Sequence, residues 1–360
     1  MILALFTIFL ILSIFASGTS IETTSTAMII SIPAIFLGLT YIIRSGNKIK
    51  FPKYFFLIMA FVVIQSIYIF FVKNKINPLQ YALVFEMSLF YWLIFYNLKS
   101  GSRILKTTIL SITLIYSFLY LFTKISGINL TNVSQLFFVE GLSSRHYHIG
   151  DLWAFVIIMI IASKWGRFSY KQWFLVGLGL IFLIISNSRS AYLSLVLGFL
   201  YLINKMTITI KNKQILVFLI LSFVSILFIY SSTGRTTLFS RPYFFQSIES
   251  FSKYPLGLGM GNFSQISHEY YDITKEVAKV SIYTHNIYLE TLSGIGLFSI
   301  IFLIFLIRSL NDIFKANSSN IIWAAFFLSI TINFMFDTTY AIHGIIWLWF
   351  MSLGVFQHES

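Results

Sequence analysis

Long apolar runs, each closed by a short basic or polar link, recur from one end of this chain to the other. They fall near residues 2–17, 26–43, 54–72, 81–96, 107–123 and 149–163, and again near 173–186, 191–204, 214–231, 286–307, 321–336 and 343–357. Such runs match a hydrocarbon layer of roughly 30 Å, the shorter ones with tilt or local thinning. In hydrocarbon each backbone N–H and C=O must be satisfied inside its own segment, so the form these runs take is the α-helix. The expected fold is all-α: a polytopic integral membrane protein with about twelve transmembrane helices. Composition agrees, because 58% hydrophobic against 10% charged residues and a mean hydropathy of +0.85 leave too little polar surface for a soluble domain. The first run has no basic segment before it and no small-residue cleavage site after it, and reads as a retained span rather than a signal peptide.

The formal charge of +13 does not point to nucleic acid, because the basic residues sit in the links. Arg44, Lys48, Lys50 and Lys53 form one cluster, and Lys99, Arg103 and Lys106 the next; Lys164, Arg167 and Lys171, then Lys205, Lys211 and Lys213, then Arg308 and Lys315 follow on the same side if each span crosses once. Basic links mark the cytoplasmic face, so both termini are expected inside. The longest polar stretch, about residues 231–284, then lies on the outer face as a loop inserted into a single helical domain covering residues 1–360. Within it, Thr237 to Tyr254 carries Leu238, Phe239, Tyr243, Phe244, Phe245, Ile248 and Phe251 at near-helical spacing, ended by Pro255. That pattern predicts a short amphipathic helix near the membrane surface.

Chemistry-bearing residues concentrate on this outer side. Arg189, in Ser186-Asn187-Ser188-Arg189-Ser190, lies between two apolar runs, where a guanidinium either faces a polar cavity or snorkels to headgroups. Arg235 and Arg241 offer planar donor forks suited to phosphate oxygens, and lipid headgroups are their alternative partners. Gly257 and Gly259, in Pro255-Leu256-Gly257-Leu258-Gly259-Met260-Gly261, permit close backbone approach to a ligand, although glycine turns are common. His285, where the loop meets the next apolar run, is a candidate general base or a structural interfacial histidine. Glu290 follows five residues later, off the face that an i, i+4 pair would share, and is better suited to bracing a neighbouring helix. Asp337 stands at the outer end of a span, able to orient His285 or an arginine, or simply solvated. Glu86, the carboxyl deepest in a span, reads as an interhelical hydrogen-bonding group. Arg145 adjoins His146 and His148, but no carboxyl cluster accompanies them and no Asp-x-Asp pair occurs, so neither a metal site nor another cofactor is expected. The chain has no cysteine.

Taken together, Ser188-Arg189-Ser190-Ala191, Ser240-Arg241 with Phe245 four residues on, Pro255-x-Gly257-x-Gly259, and His285-Asn286-x-Tyr288-Leu289 with Gly294 and Gly296 resemble the bacterial O-antigen ligase and polymerase superfamily. The resemblance covers roughly residues 145–350; the first half matches in hydropathy alone. It implies a fold of the GT-C kind in the bacterial inner membrane, with a periplasmic active site and metal-independent, inverting transfer of a glycan from an undecaprenyl-pyrophosphate carrier. The family's hairpin arginine falls on Arg189, its loop arginine on Arg241 or Arg235, its loop-end histidine on His285 and its late-span acid on Asp337. The interval from Arg241 to Gly257 is shorter than usual, and Phe245 stands where the family often has tryptophan, which is why Arg235 stays open. Implied partners are the lipid-linked oligosaccharide, the bilayer and a chain-length regulator protein. The motifs fit a repeat-unit polymerase or a ligase that transfers the glycan to lipid A core. Twelve spans would also suit a flippase for the same lipid, but transporters usually show two related halves, and none are evident here.

Overall fold

A computed structural model describes residues 1–17, 21–46, 48–72, 74–126, 146–163, 169–205, 242–263, 284, 286–317, 320–336, 340 and 342–360. These residues are helical throughout their regular structure, with no strand among them. In chain order the helices are α1 (Ile2–Ala16), α2 (Ile21–Arg44), α3 (Phe55–Tyr68), α4 (Ile76–Asn97), α5 (Gly101–Ser126), α6 (His146–Ser163), α7 (Tyr170–Ser186), α8 (Arg189–Lys205), α9 (Pro242–Lys253), α10 (Ile287–Ile295), α11 (Ser299–Phe314), α12 (Ile321–Phe336) and α13 (His343–Glu359). A short 3-10 turn, Gly296–Phe298, joins α10 to α11. Four helical stretches are long and apolar enough to cross a membrane: Ser25–Arg44, Ile76–Asn97, Gly101–Phe122 and Ile287–Phe314. The protein is therefore a membrane-associated helical protein. The expected span at 214–231 lies outside the described residues.

Burial sorts the helices into inner and outer ones. From His343 to Phe356 every residue of α13 is buried, and α12 is buried from Trp323 to Phe334; helices apolar on all sides belong at the centre of a bundle. In contrast α2 exposes Ile29, Ile32, Phe36 and Ile43, an outward stripe at three- and four-residue steps. On α4 the outward stripe includes Ile76, Leu79 and Phe90, and the same spacing puts Glu86 there, half-buried. Glu86 makes no hydrogen bond among the described residues, unlike the interhelical bond expected of it. Large apolar stripes of this kind on a water-soluble protein would drive association, whereas lipid accepts them.

Much of the interior meets the demand of a waterless core, in which each polar group needs a protein partner, although buried atoms such as Thr108 Oγ1 and Ser309 Oγ have none among the described residues. Five buried tryptophans each donate their indole N–H: Trp349 to Thr331 Oγ1 (2.8 Å), Trp153 to Ser117 Oγ (2.8 Å), Trp323 to Ser102 Oγ (2.9 Å), Trp92 to Gln357 Oε1 (3.2 Å) and Trp347 to the Val84 carbonyl (3.2 Å). Trp349 also stacks on Phe327 at 5.0 Å, joining α13 to α12. Helix α13 lies close against α4, where Gly354 faces the Trp92 carbonyl.

The bundle has two distinct ends. At one, Lys53 Nζ donates to Asp312 (3.2 Å) and Lys205 Nζ to the Ala316 carbonyl (3.2 Å). Lys48, Lys50 and Lys99 line a common cleft there, so basic clusters from separate links share a face as the sequence predicts. At the other end lie Arg189, the glycine turn and the start of α10. Helix α8, with Arg189 and Lys205 at its termini, separates the two ends by about 25 Å at about 1.5 Å per residue. A Cβ on Gly354 would stand 2.8 Å from the Trp92 carbonyl oxygen. Gly354→Val is expected to lower the thermal midpoint of the detergent-purified protein by several degrees, a cost of about 1–3 kcal/mol from overpacking, read by a melting curve.

Candidate functional site

Arg189 is the first residue of α8 and is half-buried. The chain reverses before it through Asn187, a C-cap of α7 with φ +49°, a left-handed conformation that asparagine tolerates. Its neighbours on both sides are fixed by one buried carboxyl group. Asp151 Oδ1 receives the amide of Asn333 at 2.7 Å and lies 3.2 Å from each of the Ser188 and Ser190 hydroxyls, which are 2.9 Å from each other. Ser188 Oγ also accepts the Ala191 N–H at 3.3 Å, closing the first turn of α8. Asp151 thus ties α6 to the arginine hairpin and to the outer part of α12.

The second cluster centres on Glu290, buried in the first turn of α10. Its Oε1 accepts the Gly261 N–H (2.9 Å), and its Oε2 accepts the Thr284 N–H and the Tyr340 hydroxyl, both at 3.2 Å. Thr284 Oγ1 donates to the Asn286 carbonyl (2.7 Å). Asn286 caps α10, its side-chain oxygen accepting from Tyr288 N (2.9 Å) and Leu289 N (3.1 Å), while its amide donates to the Met335 carbonyl at 3.0 Å. The two clusters therefore meet on α12: Asn333 carries the Arg189 hairpin and Met335, two residues on, carries the start of α10. Glu290 is a brace, as its sequence position suggested, but it braces loops rather than one helix.

The glycine run has a different role from the ligand approach expected for Gly257 and Gly259. Gly257, Gly259 and Gly261 have φ of +90°, +91° and +79°, and the backbone they bring close is the protein's own. Leu258 N–H donates to the Ser293 carbonyl (2.9 Å), Gly259 N–H to Gly294 (2.6 Å) and Leu297 N–H to Pro255 (2.9 Å). A Cβ on Gly257 would sit 2.4 Å from the Gly294 oxygen, and one on Gly296 2.0 Å from that of Pro255. The amides of residues 257, 258, 259, 261 and 262 are all given to protein oxygens, so they form no anion-binding nest. The turn is also held by the first half of the chain, through Tyr68 Oη to the Gly257 carbonyl (3.0 Å) and Asn77 to the Gly261 carbonyl (2.9 Å).

Helix α9 starts at Pro242, a residue suited to a first helical turn, and ends before Pro255. Gln246, Ser247 and Ser250 are buried, and Ile248, Glu249, Ser252 and Lys253 are exposed.

Of the candidates read from sequence, His285, Asp337, Arg235, Arg241 and Arg145 lie outside the described residues. Asp151, Asn333 and Tyr340 were missed, as was His343, which is buried with its ring 5.6 Å from that of Tyr81. The signal for Asp151 and Asn333 was an isolated polar residue in an apolar run, the criterion that singled out Arg189. In comparisons with known proteins, no protein-family model and no curated protein matches this chain.

The two carboxyl groups differ in how their donors are shared. Those described for Asp151 converge on Oδ1, which asparagine retains, whereas those of Glu290 are divided between both oxygens, one of which becomes an NH2 in glutamine and opposes a donor. Asp151→Asn is expected to keep most of the wild-type melting midpoint and Asp151→Ala to lose about 2 kcal/mol or more. Glu290→Gln is expected to be as damaging as Asp151→Ala despite its isosteric shape.

Proposed function

We propose that this protein is a glycosyltransferase of the bacterial inner membrane that polymerises the repeat units of O-antigen or a related surface polysaccharide. It transfers a glycan from an undecaprenyl-pyrophosphate carrier to a sugar hydroxyl of another lipid-linked repeat unit at the periplasmic face, with inversion and without a metal ion. The observation that carries this reading is the anchoring of the Arg189 hairpin and of Asn286, one chain neighbour of His285, to α12 at Asn333 and Met335, while Thr284, the other neighbour, is held by Glu290 and Tyr340. A guanidinium at a helix N-terminus also supports it: the cation is poorly placed for the helix itself but adds to the positive end of the helix dipole, and an anion gains from both.

In the proposed reaction the acceptor oxygen attacks the anomeric carbon as the bond from that carbon to the pyrophosphate oxygen breaks and its electron pair leaves with the diphosphate. Arg189, with Arg241 or Arg235, stabilises the departing charge. His285 takes the hydroxyl proton, oriented by Asp337. Asp151 and Glu290 act through the segments they hold and do not touch the reacting atoms.

The test is in vitro elongation of a purified lipid-linked repeat unit in the presence of chelator. Arg189→Ala is expected to slow elongation by about 100-fold or more, with Arg189→Lys recovering only part of the loss because a point charge cannot replace the fork. His285→Ala is expected to abolish the rate near neutral pH, and chelator to leave the wild type unchanged. Full activity of His285→Ala would remove the base, and inhibition by chelator the metal-free mechanism. Gene deletion separates acceptors: single repeats on the lipid A core mean a lost polymerase, and polymer retained on the carrier lipid means a lost ligase.

A further inference from the structure

At the lysine-bearing end, the C-terminal ends of α4, α11 and α13 and the α2–α3 link enclose two adjoining compartments of about 460 and 310 Å³. Tyr96 and Gln357 line both. Lys53, Lys315 and Asp312 line the larger, and Lys48, Lys50, Lys99 and His358 the smaller. Five lysines thus share the cleft with one acidic side chain, and that one is engaged: Asp312 accepts from Lys53 Nζ at 3.2 Å and Tyr54 Oη at 3.1 Å. The hydrogen bond to Asp312 and its charge raise the Lys53 pKa, so this lysine stays cationic. The smaller compartment has no acidic residue among its described lining.

Gln357 lies in the wall that both compartments share. The Trp92 indole N–H donates to its Oε1 at 3.2 Å, and because an indole nitrogen can only donate, the orientation of the amide is fixed. The Nε2 is then left as an NH2 group, closed to solvent and without an acceptor among the described residues.

Orientation of the chain requires only that basic residues lie on one side of the membrane, and an exposed lysine such as Lys171 satisfies that alone. It does not require lysines from three separate links to converge on a common cleft. We propose that this cleft is a binding site for a phosphate-bearing anion, supplied either as the headgroup of an anionic lipid or as a free phosphate compound. Basic pockets between membrane helices have the chemistry such headgroups need, and the site stands apart from glycosyl transfer at the opposite end.

The test measures thermal unfolding of the full chain in neutral detergent with added phosphatidylglycerol, phosphatidylcholine or inorganic phosphate, and counts retained lipids by native mass spectrometry. Phosphatidylglycerol is expected to raise the midpoint by several degrees and phosphatidylcholine to leave it unchanged; an equal rise with inorganic phosphate assigns the site to free phosphate, and its absence to the headgroup. The double variant Lys50→Gln/Lys99→Gln, with both changes at exposed side chains, and Gln357→Glu, which keeps an acceptor for Trp92 while placing negative charge in the cleft, are each expected to weaken binding at least tenfold. Lys171→Gln is expected to bind as wild type. The proposal is overturned if neither anion shifts the wild type, if phosphatidylcholine acts as strongly as phosphatidylglycerol, or if Lys171→Gln loses as much binding as the cleft variants.

Discussion

A buried polar group in a membrane bundle has no water to turn to, and this constraint organises the molecule. The carboxyl oxygens of Asp151 and Glu290 satisfy donors from segments far apart in the chain: a serine hairpin and an asparagine in one case, a glycine amide, a threonine amide and a tyrosine hydroxyl in the other. Each donor would be costly to leave unmet in a low-dielectric interior. Because many weak geometric requirements meet at single acceptors, the loops at this end are positioned by the helices rather than by loop-to-loop packing, and a catalytic group on such a loop inherits that precision.

The glycine turn extends the same logic to backbone. The segment that carries α9 must be fastened where it meets α10, and side chains at the seam would hold the two stretches of backbone too far apart to exchange hydrogen bonds. Positive φ at Gly257 and Gly259, with bare Cα atoms at Gly294 and Gly296, lets two chain segments approach within hydrogen-bonding distance. The close approach is as tight as a phosphate loop would need, but its amides are already committed to protein oxygens, so any anion at this end must be met by guanidinium groups and helix termini.

Sequence carried the coarse fold well. Eleven of the twelve apolar runs named from sequence coincide with helices, and the twelfth lies outside the described residues. Convergence of separate basic links at one end was also legible, because both signals are local: hydropathy sets the span, and a link's charge sets its side. The site was less legible because its organising contacts are not local. Gly261 and Glu290 are separated by 29 positions, Asp151 and Ser188 by 37, and Asp151 and Asn333 by 182. No spacing rule links such residues, and Asp151 looks in sequence like a lone acid at the start of an apolar run.

The two ends of the bundle place cations under opposite conditions, and the difference gives the lysines at one end and the arginine at the other different weight. Lysines at the basic end are exposed, separate and screened by water, so each contributes little alone and they matter as a shared field. Arg189 is half-buried and flanked by serines that are themselves fixed, so its backbone cannot drift to relieve a poor fit with an anion. Its helix N-terminus contributes partial positive charge at the same point without any mobile side chain. Preorganisation of this kind makes a cation effective on charge that develops during a reaction, whereas a flexible surface lysine must reorganise first. On the proposed function, the anchoring of the hairpin through Asp151 would bear on the reaction through the rigidity of Arg189, and the same physical argument would limit the lysine-lined cleft to equilibrium binding.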